Sequence, residues 1–460
     1  MRVTTATLLA ALALLPGTLH AQAAGSSTAP TTDKGTADKP ADAAPDAVPE
    51  RFAFHAQSTV VGQYNTPFHS PYEGPNSLSG AGQLRETFDL TGYIGASPWH
   101  GAEVWANGEV DQGFGLRNTL GAAGFPSAEA YKVGKGTPYF RLQRAFVRQA
   151  IDLGGEATAT APDLNVLGAT HTANRLTLTI GKFSVADVFD QNKYAHDPRG
   201  DFLNWTAVDL GTFDYAADAW GYTYGGAAEL AIDKWTGRAG LFNLSKIPNS
   251  VDLETNFRQF QVIGEIERRV TIGGHPGAIR LNGWLSHGNF ASLADAIAYG
   301  AAHGAAPDPV PVRRFRDRTG IGIDAEQEVS DTVGVFLRAG LGDGRSEAVE
   351  FTDIDRSVSG GVSIKGSGWG RDHDRIGVAL IANDISGERK RYLAAGGLGI
   401  LIGDGRLVHA GPELIGETYY DLAAIGPLHL TADGQLIVNP AYNRDRGPVP
   451  VMALRAHAQF

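Results

Sequence analysis

Between Arg51 and the C-terminus, Gly, Asp, Asn and Pro divide the chain into short stretches in which apolar and polar residues alternate. Alternation with a period of two is the pattern of a β-strand with two unlike faces, because successive side chains point to opposite sides. Residues 101–112, GAEVWANGEVDQ, are the clearest case. Ala102, Val104, Ala106, Gly108 and Val110 fall on one face; Glu103, Trp105, Asn107, Glu109 and Asp111 fall on the other. The same texture recurs at 84–95, 174–181, 278–288, 332–342, 356–366, 375–383, 413–423 and 428–438. With the weaker segments included, roughly 16 strands are expected, enough to close a wide barrel around an aqueous lumen.

A soluble sandwich also alternates, so face chemistry has to decide between the two. A sandwich core is filled with large side chains at high density. Here the apolar faces are dotted with Gly and Ala, and the polar faces carry Arg, Glu, Asp, Asn and Trp. Lipid tolerates the first kind of face and a watery lumen needs the second. The expected fold is therefore all-β: a transmembrane antiparallel barrel of about 16 strands, with infolded and extracellular loops. The last segment, VPVMALRAHAQF, sharpens this. Met452, Leu454, Ala456, Ala458 and Phe460 share one face, while Arg455, His457 and Gln459 share the other. A closing strand that ends on an aromatic residue matches the signal by which outer-membrane barrels are taken up for insertion, and closure removes the free sheet edge.

The N-terminus agrees with export. Arg2 precedes an uncharged run from Ala6 to Leu15, and small residues at Ala21, Ala23 and Ala24 follow. This is the order of a cleaved secretory signal peptide, assigned to residues 1–23. Its apolar run is too short for a membrane helix, which needs roughly 20 residues. Residues 24–50 are rich in Ala, Pro, Thr and Asp and hold no aromatic side chain. They are expected to form a disordered periplasmic segment, acting as a spacer. Residues 51–460 form the barrel domain, and the expected location is the outer membrane.

Composition excludes several other classes. With no cysteine, the chain has neither disulfides nor a thiolate metal site. A net charge of −11 without a basic tract argues against nucleic acid. No G-x-S-x-G, H-E-x-x-H, P-loop or G-x-G-x-x-G motif is present, so no catalytic residue and no cofactor is expected. The 13 histidines are scattered, and no metal ligand set is assigned. Asp353/Asp355 and Asp372/Asp374 are read as turn-forming residues rather than a Ca²⁺ site. Long connections at 113–137, 186–212 and 291–312 are candidates for extracellular or infolded loops, with short helices expected in 291–304 and 201–211.

The stretches EVWANGEVDQGFGL (103–116), DVFDQNKYAHDPRGDFLNW (187–205), GERKRYLAAGGLGILIGDGRL (387–407) and NPAYNRDRGPVPVMALRAHAQF (439–460) resemble the carbohydrate-selective porins of the OprB type. The resemblance spans about residues 51–460. It implies a 16-stranded barrel through which monosaccharides such as glucose diffuse passively into the periplasm. The alternative reading is a general or anion-selective porin. A plugged structural barrel and an outer-membrane enzyme stand further off. Partners expected are small carbohydrates, outer-membrane lipid and lipopolysaccharide, and the insertion machinery acting on the strand that ends at Phe460.

Sugars present rings of hydroxyls and patches of C–H, which suit planar charged or amide groups and an aromatic face. Such groups meet on the inward faces. Arg85 and Asp89 lie on one strand, and Glu103, Trp105, Asn107, Glu109 and Asp111 lie on the next. Arg280, Asn282 and Trp284 repeat the mixture, and Arg141 and Arg148 add positive charge in YFRLQRAFVRQ, where a bulge is expected. These residues are the candidate sugar path, with Trp105 singled out as an odd choice for a plain wall.

Overall fold

The computed structural model describes residues 49–130 and 132–460. The expected signal peptide and nearly all of the 24–50 spacer lie outside the described residues. Sixteen strands appear in chain order: β1 (Phe52–Asn65), β2 (Gln83–Ala96), β3 (Ala102–Gly113), β4 (Lys135–Thr160), β5 (Ala169–Phe183), β6 (Thr223–Ile232), β7 (Trp235–Asn243) and β8 (Phe260–Ile272). They continue with β9 (His275–Phe290), β10 (Arg314–Ser330), β11 (Val333–Gly342), β12 (Arg356–Lys365), β13 (Arg375–Asp384), β14 (Glu413–Ile425), β15 (Leu428–Val438) and β16 (Val449–Gln459). Each strand pairs antiparallel with its chain neighbours, and β1 pairs with β16 to close the barrel.

The two faces separate as the alternation requires. On β3, Trp105, Asn107, Glu109 and Asp111 are buried, whereas Val104 and Ala106 are exposed. On β16, Met452 and Leu454 point outward while Arg455 is buried. An exposed belt of Leu90, Ile94, Val147, Ile180, Leu380 and many similar side chains surrounds the barrel. Apolar residues can face outward all round only in lipid.

One end of the barrel has the shorter connections, four of them two-residue turns. Gly273 and Gly274 join β8 to β9 with φ of 63° and 89°, the double positive φ of a tight hairpin. The opposite end has long loops, and β1 starts and β16 ends on the tight-turn side. Short turns of such barrels face the periplasm and long loops face the exterior.

Among the described residues, helices occur only in the loops. The expected helix in 201–211 is a single turn, α1 (Trp205–Val208), started by Asn204 accepting from the Thr206 N–H. The one in 291–304 is α2 (Leu293–His303), where the Ser292 hydroxyl accepts from the Asp295 N–H. A third, α3 (Gly387–Ala394), was not anticipated; it sits in GERKRYLA and is capped by Ser386.

Five lumen-facing rings lie directly across the ladder from a glycine: Trp105 from Gly95, Trp284 from Gly320, Phe336 from Gly361, Tyr419 from Gly377 and Phe242 from Gly225. A Cβ at Gly95 would stand 2.5 Å from the Trp105 ring, and one at Gly320 would stand 2.0 Å from Trp284. The ring fills the space its partner leaves empty. Each pair therefore fixes the register of its two strands.

Candidate functional site

The connection between β5 and β6, residues 184–222, does not cover the barrel but enters it, and every residue from 201 to 219 is buried. A loop inside a barrel must satisfy its backbone polar groups, and the wall supplies acceptors. The N–H groups of Leu203 and Asn204 donate to the Glu417 carboxylate at 2.6 and 3.2 Å. The Asp190 N–H donates to Glu265 at 3.0 Å, the Lys193 N–H to Glu326 at 2.6 Å and the Ala216 N–H to Gln261 at 2.8 Å. In return, Arg338 donates to the Ala207 carbonyl at 2.8 Å and Arg455 to the Asp201 carbonyl at 2.9 Å.

Two further loops follow it inward. The Ala123 and Gly124 N–H groups donate to Glu413 at 3.0 and 2.7 Å. Asp214 of the infolded loop accepts from the N–H groups of Val349, Glu350 and Phe351 at 2.6, 3.0 and 2.8 Å, which draws in the β11–β12 connection. The lumen wall is sealed where these loops press on it: Arg338, Arg318, Asp324, Glu413 and Glu417 are all buried.

On the β2–β5 side the arginines remain part-exposed, while several of their carboxylate partners are buried. Arg141 binds Glu109 and reaches Asp111 at 2.6 Å, and Glu109 also accepts from Thr91 at 2.6 Å. Arg199 of the infolded loop leans toward the same group, 3.3 Å from Glu129, 3.8 Å from Glu109 and 3.9 Å from Asp89. Arg144 grips Asp187 with two bonds, at 2.6 and 2.7 Å, and Arg148 meets Glu103 at 3.3 Å. Lys182 faces Asp218 at 3.5 Å. Aromatic rings close one flank. The Arg141 guanidinium lies 5.1 Å from the Tyr222 ring and 5.7 Å from Trp220, and the Trp220 indole N–H donates to the Tyr139 hydroxyl at 3.1 Å.

Burial raises the pKa of the Glu129 carboxyl despite the neighbouring Arg199 guanidinium. Burial also acts to raise that of Asp187, but the Arg144 charge and hydrogen bonds outweigh it and hold the group below its usual range.

The expected bulge in YFRLQRAFVRQ sits where Asn107 pairs with Arg144 and Gly108 with Leu142. Gln143 is the extra residue. Arg141 and Arg148 have opposite parity and would otherwise face opposite ways; the bulge turns both inward, together with Arg144.

Asp89, Glu103, Asn107, Glu109, Asp111, Arg141 and Arg148 thus share one side of the lumen. Asn107 stands directly across from Tyr93 on β2 and Arg144 on β4. Five of the expected residues, Arg85, Trp105, Arg280, Asn282 and Trp284, need correction. Arg85 is exposed at the outer end of β2, and its Nη1 donates to the Leu84 carbonyl rather than to the cluster. Trp105 is only 1% exposed, its ring lying on Gly95 and its N–H donating to Glu103 at 2.7 Å. It is a wall component, seated by its glycine, and offers no face to a solute. Arg280 and Trp284 stand behind the infolded loop. Arg280 binds Glu267 at 3.0 Å and Asp324 at 2.7 Å, with Asn282 on the same face, and Trp284 packs 4.9 Å from the Phe213 ring.

Asp353 and Asp355 lie in the β11–β12 connection and do more than shape it, clasping the buried Arg389 at 3.2 and 3.0 Å. Residues missed in the sequence include Arg144, Asp187, Lys182, Arg199, Tyr139, Trp220 and Tyr222. Asp187 and Arg199 lie in DVFDQNKYAHDPRGDFLNW, whose density of charge within a loop was the available signal.

Three comparisons bear on this geometry. The family model described as "Carbohydrate-selective porin, OprB family" matches residues 75–460. Comparison with curated protein sequences finds no match. Among solved structures, the high-pH structure of Pseudomonas putida OprB is similar at 15% identity, covering 89% of this chain and 94% of that one with a TM-score of 0.69. The low-pH structure of the same protein matches at 11% identity over 89% and 93%, with a TM-score of 0.49. The outer-membrane channel DcaP of Acinetobacter baumannii matches at 11% identity over 90% and 100%, also at 0.49. Family and fold are those of channels rather than enzymes. The family favours a sugar pore over a general or anion-selective one. The chain belongs to the OprB family of carbohydrate-selective porins, and is a 16-stranded outer-membrane barrel for small sugars.

Proposed function

We propose that sugars cross along the β2–β5 side of the lumen, between that wall and the infolded loop. The observation that carries this reading is the asymmetry of exposure. The Arg141 side chain is 10% exposed and Arg199 15%, whereas Arg338 and Glu413 on the opposite side are fully covered. A neutral sugar leaving water needs replacement partners for its hydroxyls. Arg141, Arg144 and Arg199 supply fixed donors, the part-exposed Asp187 and Glu103 fixed acceptors, and the half-buried Trp220 and Tyr139 rings an apolar flank, while the buried Glu109 and Asp111 hold Arg141 in place. Opposed charges across the path resist bare ions, which lose hydration without a matched counter-charge.

Arg141→Ala is expected to cut glucose entry into proteoliposomes about tenfold relative to a size-matched non-sugar solute, the effect of losing about 1.4 kcal/mol of interaction. Arg85→Ala should leave the ratio unchanged. Swelling rates check both, with the heat-modifiable band on a gel reporting folding. Retained discrimination in both Arg141→Ala and Arg199→Ala would move the path elsewhere.

In this reading the apolar belt contacts outer-membrane lipid and lipopolysaccharide, and β16 is the address read by the insertion machinery. The Phe460 side chain is exposed while its backbone exchanges hydrogen bonds with Ala56 at 2.8 and 3.0 Å. Phe460→Ala keeps those bonds, so it tests the ring alone. Folded barrel in the outer-membrane fraction should fall several-fold in cells, while refolding of the purified chain in detergent stays normal. Equal levels in cells would remove the role of the ring.

A further inference from the structure

On the long-loop side, the β1–β2, β13–β14 and β15–β16 connections meet in an open dish of about 430 Å³ lined by His69, Pro71, Tyr72, Arg406, Arg444 and Asp445. We propose that this dish is a separate saccharide site, and that its ligand is a hexose phosphate. The proposal rests on the sugar-porin reading for the hexose; the phosphate follows from the residues themselves.

The floor is built rather than incidental. Beneath it Asp404 and Arg446 form a fully buried ion pair at 2.8 Å. Asn443 ties that pair to the wall of the dish, donating to Asp404 at 2.7 Å and to the Tyr72 hydroxyl at 2.9 Å. The segment around Asn76 is bridged to Gly403, so the three connections are held to one another. A concave site with fixed walls loses little entropy when a ligand binds. Its volume lies within the range of small-molecule sites, about 300–1,000 Å³.

The lining sorts into two chemistries. Arg406 and Arg444 present two exposed guanidinium groups, neither of which meets a carboxylate among the described residues. Arg406 is held flat, its guanidinium 3.7 Å from the centre of the Tyr72 ring. The stem of Arg444 passes Gly411, where a Cβ would stand 2.7 Å from it. Two guanidinium forks lining one dish match a phosphate dianion in charge, and each fork can bond two of its oxygens. Asp445 supplies the other half. His409 donates to it at 2.7 Å and the Tyr72 hydroxyl donates to it at 3.4 Å, which leaves it a fixed acceptor for sugar hydroxyls. A sugar without phosphate would leave the excess of positive charge from the two arginines uncompensated. A bare phosphate would leave Asp445 facing an anion.

A phosphorylated hexose reaches the cell surface in two forms, as a free solute or within lipopolysaccharide. Isothermal titration of the purified full barrel in detergent with glucose 6-phosphate and with glucose tests the first. Retention of lipopolysaccharide on the barrel, before and after enzymatic dephosphorylation, tests the second. The expected result is that glucose 6-phosphate binds at least tenfold more tightly than glucose, and that Arg406→Ala/Arg444→Ala abolishes the difference. Gly411→Leu, which displaces Arg444 while keeping both charges, should weaken binding in the same direction. Arginine-dependent retention of phosphorylated lipopolysaccharide, with no preference for glucose 6-phosphate, assigns the site to the lipid-borne form. The proposal is overturned if the double variant binds both phosphorylated ligands as the parent does. Glucose swelling rates are read in parallel. A parent barrel with no glucose preference would sink the sugar path and leave the phosphate result standing.

Discussion

Replacing residues 196–214 with a short glycine linker is expected to raise single-channel conductance several-fold and to abolish discrimination among sugars. This segment contains α1 and most of the chain that fills the lumen, and 201–214 is buried throughout. A 16-stranded barrel without such filling leaves a wide aqueous channel. The groups uncovered by the deletion, Glu417, Arg338 and Arg455 among them, would be hydrated rather than stranded, because they would face water. The barrel itself should therefore close: the sixteen ladders do not pass through the loop. Planar-bilayer recording checks conductance and proteoliposome swelling checks selectivity. An unchanged conductance would mean that the loop does not set the aperture.

The second large effect separates wall from path. Trp105→Ala is expected to destabilise the barrel by about 3–5 kcal/mol, the usual cost of truncating a large buried aromatic side chain. Its effect on the glucose-to-control swelling ratio should be small. The indole lies on Gly95 and is sealed from the lumen, so its removal opens a void between β2 and β3 without taking a contact from a passing solute. Arg141→Ala should show the opposite pattern, a changed ratio with a smaller loss of stability. Urea unfolding from lipid vesicles gives one axis and swelling the other. A variant at Trp105 that folds with full stability but loses glucose preference would restore that ring to the path.

These two cases show why the barrel was legible in the sequence while the site was legible only in part. Face assignment on β3 or β16 depends on parity alone, which the chain displays residue by residue. The acidic face from Glu103 to Asp111 was read correctly as lumenal for that reason. Parity also fails visibly: Arg141 and Arg148 cannot both face inward without an extra residue, so a bulge could be anticipated near them. Accessibility along the lumen is another matter. Arg280 and Trp284 carry the same signature as Glu109 and Arg141, and only the docking of Phe213 and its neighbours covers them. That docking depends on pairings such as Glu417 with the Leu203 N–H, separated by more than 200 residues and made to a backbone group that has no sequence signature. Trp105 failed for a related reason. Its partner Gly95 was visible, but the pairing becomes meaningful only once the β2–β3 register is known.

The hooks that hold the infolded loop have a consequence for how such channels diversify. Glu265, Glu326, Glu413 and Glu417 all grip main-chain N–H groups, so these hooks recognise the course of the loops rather than their side chains. Lineages can then revise the residues that face the aperture while the scaffold stays as it is. The bore and the housing are inherited on separate terms, and a new diet requires only a new lining.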